Sequence, residues 1–142
     1  MRKLSDKDLE TLLPLAEAGD APSQFKIGWM HYKGWVVKQD VDEALKWLRK
    51  AADQGYFTAQ HTLAGLYYNG FSPRRSGVNV VHIKPNLVEA YKWLNITSAA
   101  GHDYEDGWEE KIIAKMSPDQ LAEAKALLNI WEPAPDPAKI VH

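Results

Sequence analysis

The chain has 142 residues, of which 45% are hydrophobic and 25% charged, with a formal net charge of −2 and no cysteine. That length suits one ordinary domain with a buried core, and near-neutrality argues against a surface that neutralises phosphates over its whole extent. Without cysteine there is no disulfide, no thiolate metal ligand and no thiol nucleophile.

In chain order, the opening MRKLSDKDLETLL has no long apolar run. It is expected to be neither a signal peptide nor a membrane span, with the cytoplasm as the expected location. Ser5–Ala18 predicts a first helix with Ser5 and Asp8 as capping pair and Leu9, Leu12, Leu13, Leu15 and Ala16 as its apolar residues. Pro14 falls late in it, where a proline forfeits a hydrogen bond and can kink the helix. Asp20 is placed to cap a second helix over 21–33, and Gly34 opens a short turn.

Asp40–Gly55, DVDEALKWLRKAADQG, is the best-written helix of the chain. Asp40 reads as N-cap, and Glu43 three residues on can reach back to close a capping box. Val41, Ala44, Leu45, Leu48, Ala51 and Ala52 form an apolar stripe at helical spacing. Gly55 supplies the stop, being free to take the left-handed conformation. Next come a helix over about 58–69 and an inserted basic loop within about 71–84. Asn86–Gly101 repeats the pattern, with Asn86 as cap, Glu89 in the place of Glu43, and Leu87, Ala90, Tyr91, Leu94 and Ser98 along the stripe. Tyr104, Trp108, Ile112 and Met116 recur every fourth residue, which predicts a helix over 103–116. Ser117, Pro118 and Gln120 are the cap, N1 and N3 of a closing helix, Pro118–Trp131. The stretch 132–142, EPAPDPAKIVH, reads as a proline-rich extended tail beyond a single domain over 1–131.

The chain repeats itself. E-A-x-K-W-L is identical in Glu43–Leu48 and Glu89–Leu94. Gly19–Gly34 aligns with Gly55–Gly70 at a spacing of 55 − 19 = 36 residues, and from Gly55 to Gly101 the spacing is 46, so the second unit carries ten more residues. Such periods mark helical repeats, each too thin to bury its own core. The pattern A-x-x-x-L-G-x-x-Y-x-x-G followed by D-x-x-x-A-x-x-W-x-x-K-A-A-x-x-G resembles the Sel-one-like repeat, a family similar to tetratricopeptide repeats. The resemblance covers Ala18–Gly101 in two full units with partial units on either side. It departs at His31, where Tyr is usual, at Ala64, where Gly28 is the pattern, and at Thr97-Ser98, where Ala51-Ala52 is. It implies an all-α, right-handed α/α superhelical solenoid of about seven helices, and a protein-binding role.

Nothing in the sequence favours catalysis. His31, His61, His82, His102 and His142 share no helix at metal-ligand spacing, so no metal and no cofactor is expected. Asp40/Asp42 and Glu109/Glu110 read as cap and solvated-face residues, and there is no Gly-rich phosphate loop, G-x-S-x-G or H-E-x-x-H. Asn95-Ile96-Thr97 fits a glycosylation sequon but falls inside a predicted helix. Trp47 and Trp93 hold the same repeat position, which points to core packing rather than a contact site.

Binding has more support. On the helix over 21–33, Ser23, Gln24, Ile27, Gly28 and His31 share one arc, and Phe25, Lys26, Trp29, Tyr32 and Lys33 share the other. The resemblance implies that such helices line the concave surface, so the second arc is the candidate contact face. Packing of Phe25 and Trp29 against flanking helices is the competing explanation. The equivalent arc of the next helix is His61, Thr62, Gly65, Tyr68 and Asn69, with Gly65 leaving a dip. Arg74, Arg75, His82 and Lys84 make the insertion locally basic, and insertions in repeat arrays map to one face, often the functional one. The expected function is that of a non-catalytic module binding another protein, in the manner of a bacterial adaptor or toxin-immunity protein. An enzyme acting on a peptide or cell-wall-type ligand, and a self-associating structural subunit, are the alternatives. No nucleic acid and no membrane insertion is expected, and the chain is expected to be a monomer with end-to-end dimers open to it.

Overall fold

The computed structural model describes residues 5–70, 84–101 and 107–134. Among them it forms seven helices and no strand: α1 (Asp6–Glu17), α2 (Ala21–Lys33), α3 (Val41–Asp53), α4 (Phe57–Asn69), α5 (Leu87–Ala99), α6 (Trp108–Lys115) and α7 (Pro118–Ile130). Two compact units divide the chain, Met1–Ala59 with Pro133–His142, and Gln60–Glu132.

In the first unit, α2 packs on both α1 and α3. Leu12, Ala16, Ile27, Met30 and Trp47 form its core, with Leu9, Leu13 and Val37 packed against them. The approach of α2 to α3 is close at Gly28, where an added Cβ would lie 3.0 Å from Leu48 Cγ and 3.2 Å from the Ala44 carbonyl oxygen. A buried polar thread crosses the same helices. Gln24 Nε2 donates to the Ala16 carbonyl at 3.1 Å, and Gln54 Nε2 donates to Gln24 Oε1 and to the Gly19 carbonyl, both at 2.9 Å. Each interior acceptor so satisfied avoids the penalty of an unpaired buried polar group.

In the second unit, α5 packs on α6 and α7. Trp93 is 1% exposed and meets Trp131 edge-on, ring centres 6.1 Å apart. The stripe of α5 is rotated from its sequence reading: Val88, Trp93 and Thr97 are buried with Ala90, Tyr91 and Leu94, while Leu87 is half-buried and Ser98 exposed. Thr97 is accommodated because its hydroxyl donates within the helix, to the Trp93 and Leu94 carbonyls at 2.9 and 2.8 Å.

Helix ends follow the local chemistry. The Ser117–Gln120 box closes in both directions, at 3.1 and 2.9 Å, and the Asp8 carboxylate accepts from both the N–H and the hydroxyl of Ser5. Gly55, at φ 93°, sits in a Schellman motif: its N–H donates to the Ala52 carbonyl and that of Tyr56 to Ala51.

The boxes expected at Asp40 and Asn86 are half right. Each side chain accepts from the N3 amide at 3.1 Å. The cap N–H groups, however, donate to α-helical carbonyls from the preceding helix, Asp40 to His31 at 3.0 Å and Asn86 to Tyr67 at 2.7 Å. Glu43 and Glu89 turn instead to Lys46 and Lys92, at 3.7 and 3.0 Å. His31 and Tyr67 are equivalent repeat positions, so this tie is a repeated feature in place of the predicted one.

Helix α6 begins at Trp108, after Gly107 at φ 92°; residues 103–106 of the helix expected over 103–116 lie outside the described set. Helix α7 ends at Ile130, one residue short of Trp131. Of the tail, residues 135–142 likewise lie outside it, while the Ala134 N–H donates to the Asp53 carbonyl.

Candidate functional site

Helix α2 starts because Asp20 accepts from the Ser23 amide at 3.1 Å, and it stops at Gly34, whose φ of 71° is the left-handed region. Between those limits it sorts its side chains by arc. Ser23, Gln24, Ile27, Gly28 and Met30 are buried and His31 is half-buried, whereas Phe25, Trp29 and Tyr32 are half-buried and Lys26 and Lys33 exposed.

The second arc forms a strip of rings. Phe25 and Trp29 stack at 6.0 Å with 24° between their planes, and Trp29 and Tyr32 follow at 5.2 Å and 39°. Tyr56 adds a fourth ring, 5.7 Å from Phe25. At the other end Lys33 Nζ lies over both Trp29, at 5.1 Å, and Tyr32, at 5.4 Å, within cation–π range. Burial among these neighbours raises the Tyr32 phenol above the ordinary tyrosine range. The rings pack on one another and still keep part of their faces in solvent. Packing thus accounts for part of each ring and leaves part of it exposed.

Immediately past the strip, the chain turns through Trp35 and Val36, which are 40% and 37% exposed. Val36 has φ 69°, a conformation that β-branched residues rarely adopt. The turn is held by the N–H groups of Gly34 and Trp35 on the Met30 carbonyl, by Gln39 Nε2 on the Tyr32 carbonyl at 2.9 Å, and by the Asp40–His31 tie.

The equivalent arc of α4 is split. His61 and Asn69 are exposed, and Thr62, Gly65 and Tyr68 are half-buried. Open space lies where a Gly65 Cβ would project, and Asn69 Nδ2 donates to the Gly65 carbonyl at 3.1 Å. Tyr68 is the ring that finds partners, with Trp108 at 4.9 Å and Lys115 Nζ over it at 4.7 Å. Beside them opens a cleft of about 840 Å³ whose walls include Lys84, Asn86, Gln120, Glu123 and Leu127. Arg74, Arg75 and His82 lie outside the described residues.

The sequence reading did not pick out Tyr56, Trp35, Trp108 or Lys115 as contact residues. Tyr56 had a local signal, since the residue after a Schellman glycine commonly packs back on its helix. Trp108 and Lys115 had none, because they reach Tyr68 from another helix. Among the described residues no group of three or more His, Asp or Glu is arranged to hold a metal ion, and no helix is long and apolar enough to cross a membrane.

Comparison with known proteins bears on what this scaffold is. A family model described as Sel1 repeat matches residues 21–56 and 58–102. A sel1-like repeat-containing protein of Acanthamoeba polyphaga mimivirus is 41% identical over 39 residues, 28% of this chain and 7% of that protein. Among solved structures, the protective antigen c5321 of uropathogenic Escherichia coli, described as displaying an SLR fold, matches with a TM-score of 0.64 and 26% identity. That match covers 86% of this chain and 24% of the antigen. A Sel1 repeat protein from Oxalobacter formigenes matches with a TM-score of 0.50 and 28% identity, over 62% of this chain and 32% of its own. The chain thus spans a third or less of each of these relatives, and its helices belong to the all-α solenoid class they represent.

Proposed function

This chain belongs to the Sel1 repeat family, and from that premise we propose that it is a non-catalytic protein-binding module whose main contact surface is the aromatic–lysine strip of α2. The observation that carries the reading is the row Tyr56, Phe25, Trp29 and Tyr32 with Lys33 laid over its end. Aromatic rings offer large contact area at low entropic cost, and a row held by its own stacking is already arranged before a partner arrives. The turn at Trp35 and Val36 supports it. Strain at an exposed turn persists only where the surroundings enforce it, and here it holds two apolar side chains in solvent next to the strip.

In this reading the basic residues Arg74, Arg75 and His82 of the insertion, which lie outside the described residues, contribute charge that steers encounter rather than anchors it. The wider role we assign is that of a cytoplasmic adaptor or toxin-immunity partner. The test compares proteins retained by immobilised wild type, Trp29→Ala and Lys7→Ala, Lys7 being an exposed residue of α1. A protein held by wild type and Lys7→Ala but lost by Trp29→Ala is expected. Identical retention by all three would remove the strip from the binding surface.

A further inference from the structure

The second unit holds, in its own way, the trio that ends the α2 strip. Tyr32 and Tyr68 occupy the same repeat position, 68 − 32 = 36 residues apart. Tyr32 has Trp29 at 5.2 Å and Lys33 Nζ at 5.4 Å; Tyr68 has Trp108 at 4.9 Å and Lys115 Nζ at 4.7 Å. The repeat supplies only the tyrosine. At the α4 positions matching Trp29 and Lys33 stand Gly65 and Asn69, and the missing tryptophan and lysine come from α6 instead. The same chemistry is therefore assembled from a different source.

The charge left in excess around each trio has the same sign. The strip's charged side chains are Lys26 and Lys33, both exposed. Around Tyr68, Lys84 and Lys115 line the cleft against Glu123, because the carboxylate of Glu89 is already engaged by Lys92 at 3.0 Å. Both trios thus combine aromatic faces with surplus ammonium groups, which suits a ligand that carries carboxylates and a compact apolar ring. Proline supplies such a ring and brings no N–H that needs a partner. A proline-rich segment is also extended before it binds, so little chain entropy is lost on docking.

We propose that Tyr68, Trp108 and Lys115, with the cleft beside them, form a second binding site, and that both trios receive acidic, proline-containing extended segments of a protein partner. The ligand class builds on the binding role given to α2 above; the second site stands on the geometry of the Gln60–Glu132 unit.

The six tryptophans provide the readout, since each indole N–H gives its own signal in a proton–nitrogen correlation spectrum. The probe is the peptide acetyl-Pro-Glu-Pro-Pro-Asp-Pro-Glu-amide, whose sequence does not occur in this chain, with its Gln/Asn counterpart as the uncharged control. Trp29 and Trp108 signals, assigned from their alanine variants, are expected to shift on titration with the acidic peptide, and those of the core residues Trp47 and Trp93 to stay. Lys33→Gln and Lys115→Gln, both at exposed positions, should each weaken the response of their own site by about tenfold and leave the other unchanged. They also keep the test open if Trp108→Ala fails to fold. Movement of Trp29 alone would overturn the second site and leave the α2 reading intact. Movement of Trp108 alone would overturn the ligand class at the α2 trio, while the binding role of α2 stands or falls on the retention test above. Equal response to the uncharged peptide, or none to the acidic one, would overturn the ligand class.

Discussion

Two glycines one residue apart in repeat register show how much a single side chain decides. At Gly28 a Cβ would press on Leu48 and on the Ala44 carbonyl, a backbone atom with little freedom to move. Gly28→Ala should therefore cost about 1–2 kcal/mol by overpacking, despite the better helix propensity of alanine. At Gly65 nothing lies within 4 Å of the same atom, so Gly65→Ala should stabilise by about 0.5–1 kcal/mol. Urea midpoints of the two variants are expected to move in opposite directions.

Tyrosine gives a pH signature at the same scale. Burial raises the phenols of Tyr32 and Tyr91, and the Glu109 carboxylate adds to the effect at Tyr91. A folded-state value above the unfolded one favours the protonated form on folding. The associated stability is therefore intact below the unfolded value of about 10 and is lost as pH rises through the folded one. Stability measured from pH 9 to 11 should fall, and Tyr32→Phe and Tyr91→Phe should each flatten that fall.

At the scale of the element, what was legible in the sequence was whatever the chain decides within one helix turn. Ser117-Pro118-Asp119-Gln120 and the Gly55 stop specify their own hydrogen bonds, and α2 falls on its expected bounds of 21–33. The boxes at Asp40 and Asn86 escaped, because the His31 and Tyr67 carbonyls that take the cap N–H groups come from another helix. Candidate site residues divide the same way. Phe25, Trp29, Tyr32 and Lys33 share one helix, so spacing alone brought them together, whereas Tyr68 meets Trp108 and Lys115 only through folding. The strained turn after α2 was equally invisible, since Val36 has no composition signal for φ 69°. Val36→Gly should remove that strain and raise stability by about 1–2 kcal/mol, read as a higher urea midpoint.

Across the whole molecule, the repeat separates residues that hold the fold from residues that present a surface. Trp47 sits in the core of the first unit and Trp93 in that of the second, at 7% and 1% exposure, from one repeat position. Trp47→Ala and Trp93→Ala should each cost about 3–5 kcal/mol, as large-to-small core changes do. Trp29, half-buried on the strip, has the opposite assignment. The most direct test is the dissociation constant of a retained partner for Trp29→Ala, taken beside its urea midpoint. The expected result is binding weaker by about 2 kcal/mol or more, some thirtyfold, with a midpoint shifted far less than by Trp47→Ala. An unchanged dissociation constant in a folded Trp29→Ala protein would contradict the assignment of binding to α2.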